Sequence, residues 1–148
     1  MSTAKSILVT GCNRGLGRGI VELLSRQSQS LIIYAASRSG QDIGLPSTST
    51  AQIKPVTLDI SSNESIDAFF QSIQEIDVVI NNAGVQSMGQ EQTNEVYMRV
   101  LDVNYRGTLK VSTSLHGQKA GPNERKVCQA AIPKLRKGGR IVNVSSAG

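Results

Sequence analysis

The chain has 148 residues, enough for one domain with a hydrophobic core, and its 39% hydrophobic and 18% charged residues are typical of a soluble globular protein. It contains no signal-peptide pattern and no run of the roughly 20 apolar residues that a membrane span needs. It has no Trp and only 3% aromatic residues, which argues against base stacking on nucleic acid. The net charge of +5 is the sum of −1 over residues 1–110 and +6 over residues 111–148. A solvent-exposed basic face explains the positive charge of residues 111–148 better than a nucleic-acid site does.

The first predicted elements are a strand, a glycine-rich turn and a helix. The apolar run at Ile7–Thr10 leads into Gly11, Gly15 and Gly17, and apolar residues then recur at helical spacing as far as Arg26. In this context the first glycine permits a tight turn, the second lets the backbone approach a pyrophosphate, and the third lets the helix pack near the strand. The helix N-terminus adds unpaired N–H groups and a partial positive charge. The stretch predicts a phosphate-binding loop, although a loop without a ligand is also compatible with it.

The end of the second predicted strand indicates which dinucleotide is bound. Leu31–Ala35 is almost continuously apolar, as expected for a parallel strand buried on both faces. After it comes Arg38, and no acidic residue occurs before Asp42. An acid at this place binds the ribose 2′-OH of NAD, whereas an Arg accommodates the 2′-phosphate of NADP. Because Arg14 in the glycine loop can reach the same phosphate, we expect NADP(H) rather than NAD(H), the alternative being two ordinary surface arginines.

The rest of the chain continues the alternation of strands and helices that parallel βαβ units produce. In order, the patterns predict a loop or reduced helix at residues 39–54, a strand at 55–58, a helix starting near Ser61 and Ser62 that buries Ile66, Phe69, Phe70 and Ile73, a strand at 76–80, a helix containing Val96, Val100 and Val103, and a strand at 141–144 after a break at Gly138–Gly139. We therefore predict a Rossmann-type three-layer α/β sandwich with about five parallel strands in the order 3-2-1-4-5.

Five short motifs follow one another along this pattern. They are Thr-Gly-x-x-x-Gly-x-Gly at Thr10–Gly17, Leu58-Asp59, Asn81-Asn82-Ala83-Gly84, Val103-Asn104 with Gly107, and Val142-Asn143-Val144-Ser145-Ser146. Together they resemble the N-terminal part of the classical short-chain dehydrogenase/reductases, in particular carbonyl-reductase-like members. The resemblance implies one NAD(P)-binding Rossmann domain over residues 1–148 and a small carbonyl compound or alcohol as the substrate.

The resemblance assigns most of these residues to the cofactor site. The implied NADP(H)-binding residues are Thr10, Gly11, Asn13, Arg14, Gly15, Leu16, Gly17, Arg38, Asp59, Ile60, Asn82, Ala83 and Gly84. Within this set, Asp59 would hydrogen-bond the adenine. Asn81, which lies outside the set, would stabilise the sheet. Asn104 would correspond to the catalytic Asn that orders a water and holds a proton relay, and Ser146 to the Ser that hydrogen-bonds the substrate carbonyl. No metal ligand is implied.

The first departure from the family pattern concerns the proton donor. The family uses a Tyr after the Ser motif, followed four residues later by a Lys, but Tyr34, Tyr97 and Tyr105 all lack that Lys. General acid catalysis contributes roughly 10²–10⁴-fold. We therefore expect this chain to be reduced to the cofactor-binding part of a reductase. The alternatives are a non-catalytic dinucleotide-binding or regulatory module and a non-functional fragment from a mis-spliced gene.

The second departure is a stretch at residues 111–126, which stands where the family has one continuous helix. It has no helical periodicity and contains Gly117, Gly121 and Pro122. Without it, a single apolar stripe would include Leu109, Cys128, Ile132 and Leu135. We therefore hypothesise an insertion, for example a translated intron, the alternative being a genuine surface loop. Because this helix forms the family's usual contacts between subunits, no oligomeric state is predicted.

Several reactive or charged residues lie outside these functions. Cys12 stands near a helix N-terminus, which favours a thiolate, but a small filler in the loop is the preferred interpretation. His116 lies in the predicted insertion and is not expected to bind a ligand. Lys134, Arg136 and Lys137 stand where a helix is predicted to end and would oppose its dipole. Two cysteines are too few for a disulfide framework, so we expect free thiols and a cytoplasmic protein.

Overall fold

The computed structural model describes residues 4–85, 93–106 and 131–144, in which strands and helices alternate except between the second and third strands. The elements in order are β1 (Lys5–Thr10), α1 (Gly15–Ser25), β2 (Leu31–Ser37), β3 (Ala51–Thr57), α2 (Asn63–Ser72), β4 (Ile76–Asn81), α3 (Asn94–Val100) and β5 (Leu135–Asn143). A π-helix at Leu101–Arg106 continues α3, and a short 3-10 helix at Ile132–Lys134 precedes β5.

The five strands form one parallel sheet in the order β3-β2-β1-β4-β5, which confirms the predicted topology. The central strand β1 is buried on both faces. Ile7 and Val9 pack with Val21 of α1, whereas Leu8 points to the opposite face and packs with Ile66 of α2. Two helical layers therefore enclose the sheet, as in a three-layer sandwich.

The α2 layer follows the sequence prediction closely. The Ser62 hydroxyl caps the helix by accepting the backbone N–H of Ser65 at 3.1 Å. The predicted apolar face is buried, with Ile66, Phe69 and Phe70 at 1–5% exposure. This packing fixes the sheet beneath the loops at its carboxyl edge.

The loop predicted at residues 39–54 is wrong for its last four residues, because β3 already begins at Ala51. This part of β3 reads as a loop because exposed Gln52 and half-buried Lys54 alternate with buried Ala51 and Ile53. Such alternation suits an edge strand, and Pro55 is tolerated there because an edge needs only one row of ladder hydrogen bonds. Residues 38–50 cross from β2 to β3 without a helix.

The final strand has two parts. Leu135 pairs with Ile76, but the next pair joins Arg140 to Val78, so residues 136–139 bulge out of the ladder. Gly138 has a φ of +82°, which agrees with the break predicted at Gly138–Gly139. Leu135 therefore belongs to the sheet, and its prediction as the end of an apolar helix stripe is wrong.

The basic residues around this bulge tie the start of β5 to β4 and to the connection between α2 and β4. The Arg136 guanidinium pairs with Glu75 (Nε–Oε2, 2.9 Å) and Asp77 (Nη1–Oδ2, 3.4 Å). Lys134 Nζ donates to the backbone oxygen of Ile73 at 3.0 Å. Arg136 and Lys137 thus lie in the β5 segment and do not end a helix as predicted, because the chain becomes extended at Leu135.

Some sequence predictions lie outside the described residues. These are the insertion at residues 111–126 with His116, the contribution of Cys128 to the apolar stripe, and the substrate contact of Ser146. Within the described ranges, no helix is both long enough and apolar enough to cross a membrane.

Candidate dinucleotide site

The predicted site residues gather at one edge of the sheet because they follow parallel, neighbouring strands. The glycine loop follows β1, Arg38 follows β2, Asp59 comes after β3, and Asn82–Gly84 follow β4. The carboxyl ends of parallel strands are where open α/β sheets bind ligands. Asn104 joins this group from the π-helix.

Three glycines shape the loop between β1 and α1 in different ways. Gly11 has a φ of +71°, and a Cβ there would lie 2.8 Å from Ala83 Cα. A Cβ on Gly17 would overlap the backbone oxygen of Gly11 and come within 2.5 Å of Asn82 Nδ2. Gly15, with a φ of +55°, has no described atom within 4 Å of a built Cβ. Two glycines therefore allow close backbone packing, while the third leaves open space over the loop.

The start of α1 suits an anion. Arg14 is the N-cap residue of the helix, and its side chain makes no capping hydrogen bond to the first turn. No acidic residue stands in that turn. Asn13 and Arg14 are exposed, and Leu16 exposes 62% of its surface beside the loop. Backbone N–H groups, the positive helix end and the open space at Gly15 together fit the pyrophosphate of a dinucleotide.

Reciprocal hydrogen bonds join the glycine loop to the end of β4. The buried Thr10 hydroxyl oxygen accepts the backbone N–H groups of Asn82 and Ala83, both at 3.0 Å. In return, Asn82 Nδ2 donates to the backbone oxygens of Thr10 (3.0 Å) and Gly11 (3.3 Å). Sequence analysis missed this contact, although a Thr before the first glycine and an Asn after a neighbouring strand are its signal. These bonds fix the loop shape at its base.

Asp59 and Arg38 follow the edge strand β3 and its neighbour β2, respectively. Asp59 Oδ1 accepts the hydroxyl (2.6 Å) and the backbone N–H (2.9 Å) of Ser61. Burial opposes ionisation of Asp59, but these hydrogen bonds and the positive charge of Arg38 hold its pKa below the ordinary value. Arg38 itself is exposed, and Ile60 is half-buried against the α2 layer. The Asp59 carboxylate is thus ionised and oriented at neutral pH.

This environment predicts how acid acts on the fold. Because the pKa of Asp59 is lower in the folded than in the unfolded chain, its stabilisation is present above the unfolded-state pKa, near 4, and is lost as pH falls through the folded-state pKa. We expect Asp59→Asn to lose less stability than the parent between pH 5 and about pH 2.5, as measured by urea unfolding at each pH. Parallel stability curves for the two proteins would contradict this assignment.

Asn104 holds the segment that follows β4. Its Oδ1 accepts the backbone N–H of Val85 at 2.8 Å, and its Nδ2 donates to the Val85 backbone oxygen at 2.7 Å. A Cβ on Gly84 would lie 3.4 Å from Asn104 Oδ1. The side-chain amide therefore clamps the backbone next to Gly84, and π-helices such as this one often occur at functional sites. The predicted role in ordering a water stays a prediction.

Cys12 is a buried filler, the preferred interpretation of the sequence. It is 0% exposed, and its thiol donates to the Val9 backbone oxygen, with Sγ 2.9 Å from that oxygen. Burial raises the pKa of this thiol to about 12, so a thiolate is disfavoured despite the nearby helix N-terminus.

Comparisons with known proteins agree with this geometry. Residues 5–121 match the family model described as short chain dehydrogenase. L-xylulose reductase of Homo sapiens is 30% identical over 144 residues, which cover 96% of this chain and 53% of that protein. Carbonyl reductase (NADPH) 2 of Sus scrofa is 30% identical over 141 residues, covering 94% and 52%. The chain spans about half the length of these curated relatives.

Solved structures show the same fold. The angucycline C-6 ketoreductase LanV with bound NADP matches with a TM-score of 0.67 and 26% identity over 96% of this chain and 55% of its own. A short chain dehydrogenase from Burkholderia cenocepacia J2315 in complex with NADP matches with a TM-score of 0.64 and 28% identity over 95% and 52%. The aldohexose dehydrogenase of Thermoplasma acidophilum, at 24% identity and a TM-score of 0.66, supports the fold alone.

Proposed function

The chain belongs to the short-chain dehydrogenase family, and we propose that it forms the NADP(H)-binding part of an oxidoreductase that acts on a carbonyl compound or an alcohol. The observation that carries this proposal is the open, positively polarised start of α1 flanked by basic residues. Arg14 precedes that helix, and Arg38 follows the neighbouring strand β2.

The pyrophosphate would lie over Gly15 and the first N–H groups of α1. The space above Gly15 gives it room, and the exposed Leu16 offers an apolar surface beside it. The Thr10 and Asn82 hydrogen bonds keep the loop in this shape before a ligand arrives. A preformed loop lowers the entropic cost of binding.

The 2′-phosphate would be held by Arg14 and Arg38. Both side chains are exposed, and both follow strands that pair directly, since Thr10 of β1 lies in register with Ala36 of β2. The exposed Ser39 adds a hydroxyl 3.4 Å from that of Ser37. A guanidinium forms charge-assisted hydrogen bonds with phosphate, so two of them favour NADP(H) over NAD(H). The NADPH and NADP in the names of the pig enzyme and of the two ligand-bound structures support the same preference.

The cofactor supplies the hydride chemistry when bound. The protein's residues orient the cofactor and the substrate and stabilise the charge that develops between them. Asn104 would hold the backbone beside Gly84 in place next to the cofactor. By the family resemblance, Ser146 would donate a hydrogen bond to the substrate carbonyl, where negative charge develops. The reductases among the relatives support a small carbonyl compound as the substrate class.

Thermal unfolding with added nucleotides tests this proposal. A ligand at 100 times its Kd stabilises the native state by about 2.7 kcal/mol, which corresponds to a rise in Tm of roughly 5–10 °C for a domain of this size. We expect NADPH to raise the Tm by that amount and NADH at the same concentration to raise it much less. No shift with either nucleotide would refute the cofactor site, and equal shifts would refute the preference for NADP(H).

A further inference from the structure

The strands β4 and β5 both change from apolar to amide residues at the same level of the sheet. In β4 the run Val78–Ile80 is followed by Asn81, and in β5 Ile141-Val142 is followed by Asn143. The two asparagines are register partners, and Asn81 Nδ2 donates to Asn143 Oδ1 at 2.9 Å. The backbone N–H of Val144 donates to the Asn81 backbone oxygen at 2.9 Å, so the ladder continues through this pair.

A pair of amides does more here than hold the sheet together. Asn81 is only 7% exposed, and a buried amide costs free energy unless it is hydrogen-bonded. Asn143 itself is exposed, and its side chain meets Asn81 through this hydrogen bond. A hydrogen bond is directional, so it fixes the orientation of both side chains and the spacing of the two strand ends.

The next residues of β4 carry this restraint to the glycine loop. Asn81 is followed at once by Asn82 and Ala83, whose backbone N–H groups bind the Thr10 hydroxyl. Ala83 also lies against Gly11, where a Cβ would come within 2.8 Å of its Cα. A shift in the end of β4 would therefore move the donors that hold the loop.

We propose that the Asn81–Asn143 amide pair is a positioning contact through which β5 sets the shape of the glycine loop. Cofactor affinity then depends on a side chain of β5, which lies two strands away from β1. This inference rests on the proposed function for its cofactor readout. It makes Asn143 a positioning residue, because it acts through Asn81 and the Asn82–Ala83 backbone.

The test compares Asn143→Val, which removes the acceptor, with Asn143→Asp, which keeps one. NADPH dissociation constants are measured by fluorescence titration at high ionic strength, so that the added charge of the Asp variant is screened. We expect Asn143→Val to bind NADPH about fivefold more weakly than the parent and Asn143→Asp to stay within about twofold. Asn143→Ala replaces the Val variant if that variant does not fold.

Hydrogen exchange in the absence of cofactor gives a second readout. We expect the backbone amides of Asn82 and Ala83 to exchange faster in Asn143→Val, while amides in β2 are unchanged. The matched control is Arg136→Gln, which weakens the ion pairs of Arg136 with Glu75 and Asp77. These pairs lie at the amino ends of β4 and β5, away from the dinucleotide site. The Arg136→Gln variant is expected to lower the free energy of unfolding without changing NADPH affinity or the exchange of these two amides.

The outcomes separate the two proposals. If Asn143→Val only lowers stability, like Arg136→Gln, and leaves the Kd and the two amides as in the parent, the positioning role is overturned. If the parent chain binds no NADPH, the proposed function fails. The exchange of Asn82 and Ala83 then still decides whether Asn143 restrains the loop.

Discussion

Replacing Gly17 with alanine is expected to weaken NADPH binding by about tenfold or more and to lower the free energy of unfolding by about 1–3 kcal/mol. The added Cβ would overlap the backbone oxygen of Gly11 and approach Asn82 Nδ2 to 2.5 Å. Backbone atoms cannot move aside as a flexible side chain can, so either α1 or the glycine loop must shift. Urea unfolding and an NADPH titration measure the two effects.

Gly19→Ala is the matched control in the same helix. Gly19 is exposed, and no described atom lies within 4 Å of a Cβ built there. Alanine in a helix is favoured over glycine by roughly 0.5–1 kcal/mol, so this variant should be slightly more stable and bind NADPH like the parent. Similar behaviour of Gly17→Ala and Gly19→Ala would show that α1 does not pack on the loop as described.

Replacing both Arg14 and Arg38 with alanine is expected to weaken NADPH binding about a hundredfold and NADH binding less than about threefold. Each arginine would lose a charge-assisted hydrogen bond to the 2′-phosphate, a group that NADH lacks. Stability should change little because both side chains are exposed. Titrations with the two nucleotides at the same salt concentration give the ratio directly.

Arg26→Ala controls for the loss of general positive charge. Arg26 lies at the far end of α1, where it pairs with Glu22 four residues earlier. Its removal should leave both affinities within about twofold of the parent, because exposed charges beyond about 10 Å are screened at 0.1 M salt. Equal losses of NADPH and NADH affinity in the Arg14 and Arg38 variant would refute the 2′-phosphate assignment.

The topology could be predicted from sequence because apolar periodicity separates the buried strands from the amphipathic helices, and the βαβ pattern of these elements limits the strand order. Leu31–Ala35 reads as a doubly buried strand, and Ile66, Phe69 and Phe70 mark the inner face of α2. The first residues of β3 could not be predicted in this way. An edge strand buries one face, so Gln52 and Lys54 look like loop residues until the partner strand is known.

The site could be predicted only as far as each residue's place at a strand end. The carboxyl edge follows from topology, which is why Arg38 and Asp59 lie at the same edge of the sheet as the glycine loop. The contacts between loops could not be predicted, because the bonds of Thr10 to Asn82 join residues 72 positions apart and depend on register. Likewise, no local pattern indicates that the Asn104 amide is engaged by the Val85 backbone.

Calorimetric titration of the chain with NADPH and with NADH, under identical buffer and salt, tests the central claim most directly. The proposed function predicts saturable binding of NADPH at one site per chain, with an affinity at least about tenfold higher than that for NADH, because the 2′-phosphate would meet two guanidinium groups. Absence of binding, or equal affinity for the two nucleotides, would contradict the account of this edge of the sheet as an NADP(H) site.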